Sequence, residues 1–237
     1  MRAFICSMHN EHGNVLSSLG SVVKNFTDAF TIVIHSFDKY TPELKEIIAV
    51  SDIYVKLSDL SRQYDRYAYP SFAISRNYSI AFQELYGLAK DLKYVVCFTG
   101  DTLVTDASNF DRMHDSLRGR VAAVSQSVGQ DFHAPDSDPL HGKCGGRFQE
   151  EDTTDFACSL FMLDGTFALG SKVFKSIPVT NRYTTEQILG DALASCFMDR
   201  EDFKKQVMRL NENNPGYSYA YDDGIRYHQH SGKPCLT

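Results

Sequence analysis

The chain has 237 residues, 43% of them hydrophobic, and a formal net charge of -6. That length supports one substantial core, and an acidic chain without a long basic run lacks the dense cationic field that nucleic-acid binding needs. No apolar stretch reaches the ~20 residues of a membrane span, and the opening "MRAFICSMHNEHGN" lacks the longer apolar core of a signal peptide. The six cysteines form no CxxC pair, and Cys6, Cys97 and Cys158 sit inside apolar runs, which points to reduced thiols and a cytoplasmic protein.

In chain order, "RAFICSM" reads as a buried strand. "NVLSSLGSVVKNF" follows with a helical stripe of Val15, Leu16, Leu19, Val22, Val23 and Phe26. "AFTIVIHSF" is a second strand, rich in branched residues. "TPELKEIIAV" predicts a helix capped by Thr41 with Pro42 at its first position. "DIYVKL" is a short third strand, "SRQYDRYAYP" a polar and aromatic loop, and "SFAISRNYSIAFQELYGLAK" a helix.

"KYVVCFT" is again a strand, "DASNFDRMHDSL" a helix and "RVAAVSQSV" a strand. Strand and helix thus alternate through the first 125 residues, which predicts an α/β fold with a mostly parallel sheet and helices on both faces. Residues 129–155 are long, polar and rich in Gly and Asp, the signature of a functional or mobile loop. "FACSLFMLDGTFAL" is a strand and a turn. "TTEQILGDALASCFM" is a helix capped by Thr184 or Thr185, and the tail "YAYDDGIRYHQHSGKPCLT" is extended. No repeat, low-complexity tract or dividing linker appears.

Five places carry candidate chemistry. Asp101 follows the strand "KYVVCFT" through Gly100. It is either part of a turn or a carboxylate at a strand end, where a divalent cation and its phosphates bind. His228 and His230 lie two apart and share a face of an extended segment, with Lys233 close behind. They are either an ordinary surface tail or imidazole ligands for a transition metal. Arg76 and Asn77 lie in the helix before the Asp101 strand, where Arg76 either pairs with a diphosphate or lies on a solvated face. Glu186 and Asp191, five apart on one helix, are either cap and surface residues or groups that take the proton of a substrate hydroxyl. Tyr residues of "QYDRYAYPSF" either stack on a ring or simply pack. His133, His141 and Cys144 match no zinc spacing.

Together these segments resemble the glycosyltransferases of the GT-A fold. "FICSMHNEHGNVLSSLGSV" resembles the opening of the family 2 enzymes, where a strand leads to a polar loop with Asn and an acid, here Asn10 and Glu11. "SRN" at 75–77 resembles their Ala-Arg-Asn helix. "TGD" at 99–101 matches the last acid of their Asp-x-Asp motif, with Thr99 in place of the first. "TEQ" keeps Glu186 of the acceptor-side motif, with Gln187 in place of the second acid. "HSGKP" resembles the His-x-Gly-x-x-Lys-Pro ending of the family 8 enzymes, two residues shorter. The resemblance runs from residue 3 to residue 234 and lies in the order of the motifs.

The resemblance implies one GT-A domain with a mixed, mostly parallel sheet: residues 1–125 for the nucleotide sugar, 126–237 for the acceptor, with a metal-binding tail. It implies a nucleoside diphosphate sugar donor, a UDP-sugar by default, and a glycan or other hydroxyl acceptor. Ser7, His9, Asn10, Asp38, Arg76, Gly100, Asp101 and Lys233 contact the donor; Asp101, His228 and His230 hold Mn²⁺ or Mg²⁺; Glu186 and Asp191 serve the acceptor. The loop 129–155 covers the site. Two other readings stand beside it. One is a domain that binds a nucleotide sugar or glycan without turnover, which Thr99 keeps open. The other is a sugar-phosphate nucleotidyltransferase, against which the absence of a Gly-rich, Arg-containing loop after the first strand counts. The end of the chain also permits a place in a longer protein.

Overall fold

Each strand of the first half is an uninterrupted apolar run, and such runs are stable only when covered on both faces. The computed structural model shows that arrangement. It describes residues 1–36, 40–58, 68–125, 157–177, 185–209, 218–221 and 225–228. The first strands and helices alternate as β1 (Arg2–Met8), α1 (His12–Asn25), β2 (Ala29–His35), α2 (Pro42–Val50), β3 (Ile53–Lys56), α3 (Ala68–Leu88) and β4 (Tyr94–Thr99). There follow β5 (Thr102–Val104), α4 (Asn109–Ser116), β6 (Ala122–Ser125), β7 (Ala157–Asp164), α5 (Gly165–Ser171), α6 (Thr185–Ala194), α7 (Arg200–Gln206), β8 (Val207–Arg209), β9 (Ser218–Tyr221) and β10 (Ile225–His228).

Seven strands form one sheet in the order β3-β2-β1-β4-β7-β6-β8. All pairings are parallel except those of β7, which runs against both β4 and β6. The mixed, mostly parallel α/β sheet expected from the sequence is therefore present. Alternation along β1 divides the core in two. Ala3 and Ile5 face the layer of α3 and α6, with Tyr78, Phe82 and Leu189. Phe4, Cys6 and Met8 face the layer of α1 and α4, with Val15, Leu19 and Phe110.

A second, antiparallel sheet has the order β5-β10-β9. Its register pairs Tyr227 of β10 with Thr102 of β5, the residue after Asp101. The segment after Asp101 is thus more than a turn: it enters β5 at once.

Several local expectations change. Thr41 precedes α2 but makes no side-chain cap bond; its hydroxyl lies 2.8 Å from Nδ1 of His12 instead. Ala68–Pro70, read as the end of a loop, already belong to α3. The turn after β7 is a short helix, α5, because Asp164 caps it by accepting a hydrogen bond from the Phe167 N–H at 3.0 Å. α6 begins at Thr185; Thr184, the other expected cap, lies outside the described residues. The loop 129–155 also lies outside them. Among the described residues no helix is long and apolar enough to cross a membrane.

At the amino ends of the strands, Arg2 forms a two-pronged pair with Asp111 (3.0 and 2.9 Å), and Lys93 bonds the same carboxylate at 2.9 Å. Burial acts to raise the Asp111 pKa, but the hydrogen bonds from Arg2, Lys93 and Tyr94 outweigh it and hold it at about 2. Close by, Gly165 opens α5 where its backbone N–H donates to the Lys93 carbonyl at 3.0 Å. A Cβ on Gly165 would fall on the backbone carbonyl of Leu92 and lie 2.7 Å from the Leu92 Cβ. Backbone cannot swing aside as a side chain can, so Gly165→Ala is expected to destabilise the protein by about 3 kcal/mol in urea unfolding. An unchanged midpoint would show that the β4–α5 contact is not rigid.

Candidate functional site at the carboxyl ends of β1 and β4

The chain leaves β1 toward β2 on one side and reaches β4 on the other, with α1 and α3 on opposite faces. That reversal opens a crevice at the strand ends, the usual ligand position in an open α/β sheet. A cavity of about 160 Å³ lies there. Met8, Ala73 and Ile74 supply its apolar wall, and Ser7, Glu11, Asn77, Thr99 and Asp101 most of its polar one.

Its rim is tied together by backbone. Ser7 and Thr99 are register partners across β1 and β4. The Gly100 N–H donates to the Ser7 carbonyl at 2.9 Å, and the Ser36 N–H donates to the Met8 carbonyl at 3.1 Å. Glu11 then folds back over the rim. Its Oε2 accepts from the backbone N–H groups of His9 (3.2 Å) and Asn10 (3.0 Å). Gly100 permits this approach, since a Cβ there would lie 2.5 Å from Glu11 Oε2 and 3.0 Å from Glu11 Cβ.

Asp101 stands half-buried beside Glu11 on the same wall. The thiol of Cys6 reports both: burial pushes its pKa well above the ordinary value, and the charges of Glu11 and Asp101 push it further. The described residues that line this small cavity thus include two carboxylates and no Lys or Arg.

The floor is a buried amide. Asn77 of α3 is 1% exposed. Its Nδ2 donates to Ser7 Oγ at 3.0 Å, to Ser36 Oγ at 3.3 Å and to the Ile34 carbonyl at 3.5 Å. Its Oδ1, like Thr99 Oγ1, has no hydrogen-bond partner among the described residues. Buried polar atoms are normally paired, and an orphan in a cavity wall calls for water or ligand.

Behind the rim, His12 at the start of α1 and His35 at the end of β2 are buried together, Nε2 to Nε2 at 3.4 Å. His35 Nδ1 lies 2.7 Å from the Tyr54 hydroxyl. Burial, then Lys56, then His12 lower the His35 pKa to about 4, against an ordinary value near 6.5. The unfolded chain therefore binds the extra proton first. His35 contributes stability that is fully present above about pH 6.5 and is lost as pH falls toward 4, about 3 kcal/mol across that window. Unfolding free energies measured from pH 7 to 4.5 are expected to fall less steeply for His35→Gln than for the wild type; equal slopes would show that His35 does not stay neutral.

The structure brings together Ser7, His9, Gly100 and Asp101 of the expected site residues. Asn10 sits at the loop beside them. Arg76 does not line the cavity; its Nη2 donates to the Ser58 carbonyl at 3.1 Å. Glu186 and Asp191 occur on α6 and His228 on β10, with their side chains outside the described residues. Asp38, His230 and Lys233 lie outside them altogether. Among the described residues no three His, Cys, Asp or Glu side chains converge on one point. Asn77 and Thr99 are pocket residues that the sequence did not single out as contacts. The signal for Thr99 was its place, a polar residue closing an apolar strand.

No protein-family model matches the chain, and no curated protein matches it. Among solved structures it is similar to the galactosyltransferase LgtC in complex with donor and acceptor sugar analogs, at 11% identity and a TM-score of 0.49, over 98% of this chain and 88% of that one. It is similar to mouse xyloside xylosyltransferase 1 at 11% identity and a TM-score of 0.47, over 99% of each chain. Against TarS of S. aureus the identity is 11% and the TM-score 0.48, over 96% of this chain and 36% of that one.

Proposed function

We propose that the protein is a GT-A glycosyltransferase that moves a sugar from a nucleoside diphosphate sugar, a UDP-sugar by default, to a hydroxyl of a glycan, with a divalent cation. The observation that carries this reading is the cavity at the strand-order reversal. It has an apolar wall for a flat ring, orphaned polar atoms at its floor and two carboxylates at its rim. A diphosphate is repelled by Glu11 and Asp101 unless a cation lies between. The register of β5 and β10 supports such a site by pairing Tyr227 with Thr102, the residue after Asp101.

On this reading Asp101, His228 and His230 hold Mn²⁺ or Mg²⁺. The ion, when bound, stabilises the negative charge that develops on the leaving diphosphate. Ser7, His9, Asn10, Asp38 and Gly100 contact the nucleoside. Lys233 and Arg76 add positive charge, which requires Arg76 to release the Ser58 carbonyl. Glu186 or Asp191 accepts the proton of the acceptor hydroxyl as it attacks. Residues 1–125 form the donor half and 126–237 the acceptor half, with the loop 129–155 excluding water, the competing acceptor. A reducing, cytoplasmic setting suits the free, buried Cys6 and Cys97.

Calorimetric titration with UDP, GDP and dTDP, each with and without Mn²⁺, tests the donor site. One nucleotide is expected to bind in a metal-dependent manner, at least about tenfold more weakly in Asp101→Ala. Binding of none would end the glycosyltransferase reading. For the acceptor side, Glu186→Gln and Asp191→Asn are to be compared in a transfer assay. One of them is expected to lower kcat by about 10²–10⁴-fold with donor affinity unchanged. Thr99 in place of a first acid favours a second reading, a domain that binds the donor without turnover. Metal-dependent donor binding with neither transfer nor hydrolysis would establish it.

A further inference from the structure

The buried apolar stripe of α1 is broken at Ser18, which is 0% exposed among Val15, Leu19 and Val22. A hydroxyl in such a place costs free energy unless it is bonded. Ser18 is bonded twice, to β5. Its Oγ accepts from the Val104 N–H at 2.9 Å and donates to the Thr102 carbonyl at 3.2 Å. β10 pairs with the same short strand, so Ser18 does for β5 what a second neighbouring strand would do. One turn earlier on the same face of α1, Asn14 Nδ2 donates to the Gly100 carbonyl at 3.4 Å.

Asp101 lies between the two carbonyls that α1 holds, that of Gly100 before it and that of Thr102 after it. The Gly100 N–H is held in turn by the Ser7 carbonyl of β1 at 2.9 Å. The segment that carries Asp101 is therefore pinned by its backbone from two elements. It needs that hold, because Glu11 lines the same cavity. Repulsion between the two carboxylates favours a turn of Asp101 away from the cavity, and a pinned backbone opposes it. Neither Asn14 nor Ser18 lines the cavity.

Resting on the donor reading above, we infer that Ser18, with Asn14, is a positioning residue for Asp101: the two side chains hold the backbone on either side of that carboxylate from one face of α1. They set the grip of Asp101 on the divalent cation and touch neither cation nor nucleotide.

The test reads metal binding rather than turnover. Mn²⁺ is titrated into the protein with UDP, GDP or dTDP present, and the free ion is followed by electron paramagnetic resonance. Ser18→Ala is expected to weaken Mn²⁺ binding about tenfold or more, as the loss of groups that orient a metal ligand does. Asn14→Ala is expected to weaken it about threefold or more. Ser21→Ala is the control. Ser21 Oγ accepts from the Ala107 N–H at 2.9 Å, so this variant also removes a bond between α1 and the chain that follows, but beyond β5. It is expected to lower the urea midpoint and to leave Mn²⁺ affinity within about twofold of the wild type. If Ser18→Ala does not fold, Asn14→Ala against Ser21→Ala decides. Wild-type Mn²⁺ affinity in the deciding variant, or an equal loss in Ser21→Ala, would overturn the inference and leave the glycosyltransferase reading in place. No Mn²⁺ binding by the wild type with any of the three nucleotides would overturn both the inference and the metal-dependent donor site it rests on.

Discussion

The pairing of β1 with β2 and β4 governs the molecule. Seven consecutive register pairs tie β1 to β2, and six tie it to β4, all parallel. A strand held on both sides in this way cannot shift without moving every side chain to the other layer of the core. Its end is therefore a fixed point. Ser7, Met8 and Thr99 owe their mutual positions to that register, Ser36 is tied on by its N–H to the Met8 carbonyl, and the cavity is the gap that the register leaves.

Burial and polarity are balanced at that gap. The strand ends carry hydroxyls and an amide where the core would otherwise close with apolar groups. Asn77 links α3 to β1 and to the end of β2 through one nitrogen, which makes the floor rigid while its oxygen stays uncommitted. The carboxylates of Glu11 and Asp101 stand above it, where their charge is tolerable because the rim is partly open. Neutral polar groups below and carboxylates above give the pocket a direction.

Much of this was legible in the sequence. Periodicity located β1 to β4, α1, α2 and most of α3, because those elements bury continuous runs or clear helical stripes. Asp101 was found because a strand that ends on Gly-Asp is conspicuous. Asn77 and Thr99 gained their roles, and Glu11 its seat against Gly100, only from contacts between residues 70 to 92 apart, which no local pattern encodes. β5 escaped because three residues are too few for a period to show. Thr41 looked like a cap in sequence, but the imidazole of His12, brought close by the packing of α1 on α2, took its hydroxyl.

The reversed direction of β7 has a consequence for how such a chain can diversify. β6 runs with β4 and β7 against it, so Ser125 and Ala157 are paired at the same end of the sheet as the cavity. Everything between them is an insertion whose two ends are already joined by the sheet. The entropy of closing such an insertion grows only slowly with its length. Its sequence and size can therefore drift, or be exchanged by an engineer, while the register of β1 with β4, and the cavity at their ends, stays as it is.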